Sequence, residues 1–147
     1  MSLLAAAFGE GSILVKDSVE NRSSAISLAG ELLVASGKVK PSYVASMLDA
    51  VEKFGPYIVI APGIALAHGK PSEDVIDTGL SLLLIREGVE FQHSLNDPVQ
   101  LVFGLSATDH ESHISLMAEL AEFLTDNERV NSLLTCSDSA QIRAVLA

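Results

Sequence analysis

A chain of 147 residues with 48% hydrophobic and 19% charged side chains has the size and composition of one globular domain, 1–147, and is too apolar to be disordered. Its 9 basic residues against 19 acidic ones give a formal net charge of −10, and with no Lys/Arg cluster this speaks against nucleic acid as a partner. The single cysteine, Cys136, excludes an internal disulfide, no apolar run reaches the roughly 18 residues of a membrane-spanning helix, and "MSLLAAAFGEG" lacks the basic start and length of a secretory signal, so a cytoplasmic chain without direct membrane insertion is expected.

Near the start, "GEGS" (9–12) has glycines but neither a flanking predicted strand nor a following lysine, and it is not read as a phosphate loop. In "NRSSAISLAGELLVASG" (21–37), Ile26, Ala29, Leu32 and Leu33 recur at helical spacing and Gly37 is a stop signal. "KPSYVASMLDAVEKFG" (40–55) repeats the scheme: Pro41 and Ser42 open it, Val44, Met47, Leu48 and Val51 form its stripe, and Gly55 closes it. The pattern then changes to short apolar runs. "YIVIA" (57–61), "LSLLLI" (80–85) and "VQLVFGLSA" (99–107) are predicted as buried strands, and "VEF" (89–91) as a short additional one. From about Ser112 the helical period returns, with Ile114, Met117, Leu120, Ala121 and Leu124 on one stripe. "ERVNSLLTC" and "SAQIRAVLA" predict two further helices. Helices, then strands, then helices, with no linker or repeat between them, predict an α/β sandwich whose strand order is left open.

The residues that could carry chemistry are histidines. Period-2 alternation places Ile64, Leu66 and His68 on one face of an extended segment and Ala65 and Ala67 on the other, just before a turn at Gly69. From spacing alone, His68 reads as a strand-end histidine hydrogen-bonded to backbone. A second histidine in a comparable place shifts the balance. "SATDHESHISLMAEL" (106–120) runs from a predicted strand into a predicted helix, and a cap at Asp109 or Ser112 puts His113 in the first turn. Free N–H groups and the helix dipole there favour an anion and disfavour imidazolium, so a neutral ring offering one hydrogen bond is expected. Two strand ends that each deliver a histidine fit a site at one sheet edge; a solvent-exposed helix-start residue is an equal reading of His113. His110 is expected in the preceding loop, between two carboxylates. Zinc needs three or four ligands, and "HESH" has the wrong spacing for H-E-x-x-H, so no metal site is expected. His93, in "FQHSLNDP", reads as a turn residue, and Cys136 as core.

"GIALAHG" followed by a strand, then "DPVQLVFGLSA", then "HISLMAELAEFL" resembles, in order along nearly the whole chain, the enzyme IIA domains of the phosphoenolpyruvate-dependent sugar phosphotransferase system, fructose–mannitol class. The longer "FGPYIVIAPGIALAHGKP" looks most like the ascorbate-type branch. The resemblance implies a central mixed sheet of about five strands with helices on both faces. It also implies that His68 is the phosphorylated nucleophile, with the phosphocarrier HPr as donor, a cysteine of enzyme IIB as acceptor, and the membrane enzyme IIC as an indirect partner. His113 falls on the family's second active-site histidine, where it would stabilise the transferring phosphoryl group. Two positions depart from the family pattern. Ala67 stands where proline usually precedes the phosphorylated histidine, and Lys53 in "VEKFG" is an approximate stand-in for an upstream Arg-Glu pair. Lys53 and the Gly69 amide are therefore the expected phosphate shell. Imidazole is nucleophilic while neutral, so no cofactor is expected. The small residues Ala65, Ala67 and Gly69 suit a surface that meets a protein, and a homodimer is compatible with the chain. Two alternatives stand beside this reading: a regulatory module of the same fold, phosphorylated on His68 but signalling to a non-transport partner, and a hydrolase using His110 and His113 with a metal.

Overall fold

In the computed structural model, which describes residues 3–92 and 95–147, five strands share one sheet: β1 (Phe8–Lys16), β2 (Val59–Ala61), β3 (Ile64–His68), β4 (Gly79–Val89) and β5 (Val99–Ser106). Their spatial order is β1-β4-β5-β3-β2. Pairs β1–β4 and β3–β5 are parallel, while β4–β5 and β2–β3 are antiparallel. Among the described residues six α-helices accompany the sheet: α1 (Leu3–Ala7), α2 (Arg22–Ala35), α3 (Ser42–Phe54), α4 (His110–Leu124), α5 (Asn127–Leu134) and α6 (Ser139–Leu146). This is the α/β architecture with a mixed sheet that the residues and the resemblance led us to expect.

Strand alternation sorts the core into two halves. Ile64, Leu66, Leu80, Leu82, Leu84, Leu101 and Phe103 pack with Leu116, Leu120, Leu133 and Ile142 of the later helices. On the opposite face, Ala65, Ala67, Leu83, Ile85 and Val102 meet Ile26, Ala29 and Leu33 of α2 and Met47 and Val51 of α3. Because both faces are covered, the central strands read as continuous apolar runs rather than as alternating ones.

Local chemistry accounts for the helix ends. Asn21 caps α2 by accepting the Ser24 N–H at 2.9 Å. At its other end Gly37 has φ +77. The Gly37 N–H bonds to Val34 at 3.0 Å and the Lys38 N–H to Leu33 at 2.9 Å, which is the Schellman arrangement. A Pro62-Gly63 turn, with Gly63 at φ +76, joins β2 to β3.

Several expectations are corrected. β1 was not predicted, and "GEGS" lies inside it; Gly11 at φ +81 and a register shift between Phe8 and Ile13 break its apolar pattern. "VEF" is not a separate strand, because Val89 ends β4 beyond an irregularity that includes Gly88 at φ +73. A 3-10 turn over Gly55–Ile58 shortens the predicted "YIVIA" strand to three residues. On α3, Tyr43 rather than Val44 is fully buried. On α4, Leu116, Leu120 and Phe123 form the buried stripe, whereas Ala121 is exposed and Ile114 is 53% exposed. That helix begins at His110, two residues before the expected start. Cys136 is buried, with its Sγ donating to the Ser132 carbonyl at 3.2 Å. His93 lies outside the described residues. Among the described residues no helix is long and apolar enough to cross a membrane.

Candidate active site

The topology brings two histidines from distant segments to one edge of the sheet. His68 ends β3 and pairs with Leu105 of the parallel neighbour β5, so both strands leave the sheet side by side. Alternation puts His68 on the face of Ile64 and Leu66, the face that α4 covers. β5 then passes through Ala107–Asp109 directly into α4. As a result the rings of His68 and His113 lie 5.5 Å apart, centroid to centroid, at an interplanar angle of 76°.

The start of α4 is fixed by its cap. Asp109 Oδ1 accepts the Ser112 N–H at 2.7 Å, and the Asp109 carbonyl accepts the His113 N–H at 3.1 Å. That cap bond from the Ser112 amide holds the Asp109 carboxyl below its ordinary pKa. The preceding turn is tied down by the Thr108 N–H donating to Thr78 Oγ1 at 3.1 Å. His113 thus sits in the first turn, as expected. Burial lowers its pKa first, and the neighbouring imidazoles of His68 and His110 lower it further, so the ring is neutral at pH 7. His68 Nδ1 lies 3.4 Å from the Leu66 carbonyl oxygen. A proton held there leaves the Nε2 lone pair free.

All three of His68, His110 and His113 open onto a cavity of about 650 Å³. Ser46, Asp49, Ala50 and Lys53 of α3 form one wall, and Gly69, Lys70 and Pro71 form another. His110, expected in the loop before the helix, is instead the first residue of α4 and lines this cavity. Lys53 lines it too, but its Nζ lies 3.4 Å from Asp49 Oδ2 on the exposed surface of α3, so its charge is already shared. The Gly69 expectation is corrected in one respect: Gly69 borders the cavity, but its N–H donates to Tyr43 Oη at 2.9 Å and is not offered to a phosphate.

Sequence reasoning missed Lys70, Ser46 and Tyr43. Lys70 directly follows "HG", and that adjacency was the available signal for a second cation at the site. Ser46 is a hydroxyl one turn from Tyr43 on α3, and Tyr43 is a polar ring inside an apolar stripe. Neither has a local motif to mark it. Among the described residues, no group of three or more His, Cys, Asp or Glu side chains is arranged to hold a metal ion.

Residues 7–147 match the family model for "Phosphoenolpyruvate-dependent sugar phosphotransferase system, EIIA 2". The chain is 36% identical over 132 residues to an "Ascorbate-specific PTS system EIIA component" of Escherichia coli (strain K12), across 89% of this chain and 86% of that protein. The solution structure of the mannitol-specific cryptic phosphotransferase enzyme IIA CmtB from Escherichia coli is similar with a TM-score of 0.87 at 34% identity, covering 97% of each chain. A chain in the complex of enzyme IIAMTL and phosphorylated enzyme IIBMTL from Escherichia coli is similar with a TM-score of 0.82 at 31% identity, covering 94% of this chain and 95% of that one.

Proposed function

Because the chain belongs to the phosphoenolpyruvate-dependent sugar phosphotransferase system EIIA 2 family, we propose that His68 accepts a phosphoryl group from phosphorylated HPr and passes it to a cysteine of an enzyme IIB. The observation that carries this reading is the imidazole pair, with His68 Nδ1 beside the Leu66 carbonyl and the neutral His113 ring 5.5 Å away. In the first step the Nε2 lone pair attacks phosphorus, an N–P bond forms, and the bond from phosphorus to the donor protein breaks with its electron pair. In the second step the IIB thiolate attacks phosphorus and Nε2 leaves with the pair. Such transfers depend on alignment and on stabilising charge at the equatorial oxygens. A neutral His113 donates one N–H to those oxygens, and Lys70 at the cavity wall offsets their charge, with Lys53 adding less because Asp49 already shares its charge. No metal or organic cofactor enters either step.

A complex with IIB among the similar structures supports IIB as acceptor. The name of the 36% identical relative supports ascorbate or a related sugar as the transported compound, with enzyme IIC reached only through IIB. The whole of 1–147 acts as one IIA domain on the cytoplasmic side. Incubation with phosphoenolpyruvate, enzyme I and HPr, followed by intact-mass measurement, tests the assignment. One phosphoryl group should be gained, lost in acid and retained in base. His68→Ala should gain none, and phosphorylation that persisted in that variant would remove His68 as the acceptor.

A further inference from the structure

We propose that Tyr43 is a positioning residue for this transfer: its Oη accepts the Gly69 N–H at 2.9 Å and donates to the Leu105 carbonyl at 2.9 Å, fixing the strand end that carries His68. The inference rests on the phosphoryl-transfer reading of His68 given above. Strands β3 and β5 run parallel as far as the His68–Leu105 pair. Beyond it, the link between them is a relay through Tyr43, from the Gly69 N–H to Oη and from its proton to the Leu105 oxygen. A direct N–H···O rung would draw the two chains closer together; the inserted hydroxyl holds them apart at the residue after the nucleophile. The Gly69 carbonyl lies 3.3 Å from the same Oη, so one hydroxyl reaches both polar backbone atoms of residue 69.

The packing leaves this segment little room to shift. A Cβ on Gly69 would lie 2.5 Å from Ser46 Oγ and 3.2 Å from Tyr43 Cε1, so the backbone is pressed directly against α3. Tyr43 is 1% exposed, and burial raises its pKa, which keeps the hydroxyl protonated and able to donate. On the other side of His68, Ala67 lacks the ring with which a proline would fix φ. The orientation of His68 therefore depends on what holds Gly69. A displaced Gly69 peptide turns the His68 backbone, carries Nδ1 away from the Leu66 carbonyl, and blurs which ring nitrogen holds the lone pair.

The test uses Tyr43→Phe, which removes only the hydroxyl, with HPr phosphorylated in advance as donor. The expected result is a roughly tenfold lower kcat with KM for the donor unchanged, the size of about one net hydrogen bond. Nitrogen-resolved NMR of the phosphorylated variant should show a mixture of Nδ1 and Nε2 phosphohistidine where the unsubstituted protein shows Nε2 alone. Ile142→Val, which thins the core on the other face of the sheet, controls for general destabilisation and should transfer at the unsubstituted rate; equal slowing in both variants overturns the proposal. Should Tyr43→Phe not fold, the Gly69 amide of the unsubstituted protein decides, since it must exchange with solvent as slowly as the β3 amides, and free exchange overturns the clamp. An unsubstituted chain that takes nothing from HPr overturns the transfer reading and this inference with it. Full activity and a single isomer in Tyr43→Phe overturn the inference alone.

Discussion

His113 stands half-buried in the first turn of α4, its ring 5.5 Å from that of His68, whereas His68 rests its Nδ1 beside a strand carbonyl. In the proposed transfer these settings suit the two rings to different tasks. Loss of a hydrogen-bond donor to a developing charge slows reactions by roughly 10²–10³-fold, so His113→Ala should slow phosphoryl transfer by about that factor while His68 still takes up one phosphoryl group. His113→Gln keeps an N–H and should recover part of the rate. Repulsion from His110 is one of the causes that lower the His113 pKa, after burial and the His68 ring. In His110→Ala, NMR titration should find the His113 pKa moved up toward the ordinary imidazole value, with transfer at neutral pH nearly unchanged. If His110→Ala were instead the slow variant, the assignment of the phosphoryl-stabilising ring to His113 would be wrong.

At the scale of elements, the α2–α3 contact governs how the cavity wall is placed. A Cβ on Gly30 would lie 2.9 Å from Val44 Cγ2 and 3.0 Å from Met47 Sδ. Alanine would gain up to about 1 kcal/mol in helix propensity, but overpacking a tight contact costs about 1–3 kcal/mol. Met47 can give way; the branched Val44 cannot without moving α3. Gly30→Ala should therefore lose roughly 1 kcal/mol net, seen as a Tm lower by about 2–4 °C, and an unchanged or higher Tm would show that the interface yields freely. What was legible in the sequence at this scale follows from how local each signal is. α2 was legible because its stripe and its Gly37 stop lie close together in "NRSSAISLAGELLVASG". The positions of His68 and His113 were legible for the same reason, one through strand alternation and the other through a cap at Asp109 or Ser112, whereas the roles expected of them came from the family resemblance. β1 was not, because its glycines and its irregularity erase the period that marks a strand. Nor was the exposed face of α4, since which side of a helix is buried is decided by the strands beneath it. Tyr43 was the least legible residue of the site. Its partners Gly69 and Leu105 are 26 and 62 residues away, and nothing near it in the chain announces either.

Over the whole molecule, the lowered pKa of His113 makes stability depend on pH with a definite sign. Folded His113 binds its proton less readily than the unfolded chain does, so the unfolded state holds more protons in the window below about pH 6.5. The contribution is complete above that pH and is lost as pH falls through the lowered value. The capped Asp109 adds a second loss only in the carboxylate range, below about pH 4. Urea unfolding should show stability declining between neutral pH and about pH 5 in the natural chain, with a smaller decline in His113→Gln; equal slopes in the two proteins would mean that the ring is not perturbed. The same long-range organisation sets how the cavity can move. Ser81 Oγ, on the sheet, donates to the Ala29 carbonyl of α2 at 2.7 Å. Gly30 of α2 meets Val44 and Met47 of α3, and Tyr43 of α3 returns to the sheet through Gly69 and Leu105. Sheet, α2 and α3 are thus joined in a closed triangle. A wall that swings needs an unattached edge, and the end of α3 that carries Ser46 is attached at Tyr43, Val44 and Met47. In the proposed transfer this end of the wall leaves the displacement of water to the arriving surface of the partner protein, and the lifetime of the phosphorylated state then depends on how long the cavity mouth stands empty between visits.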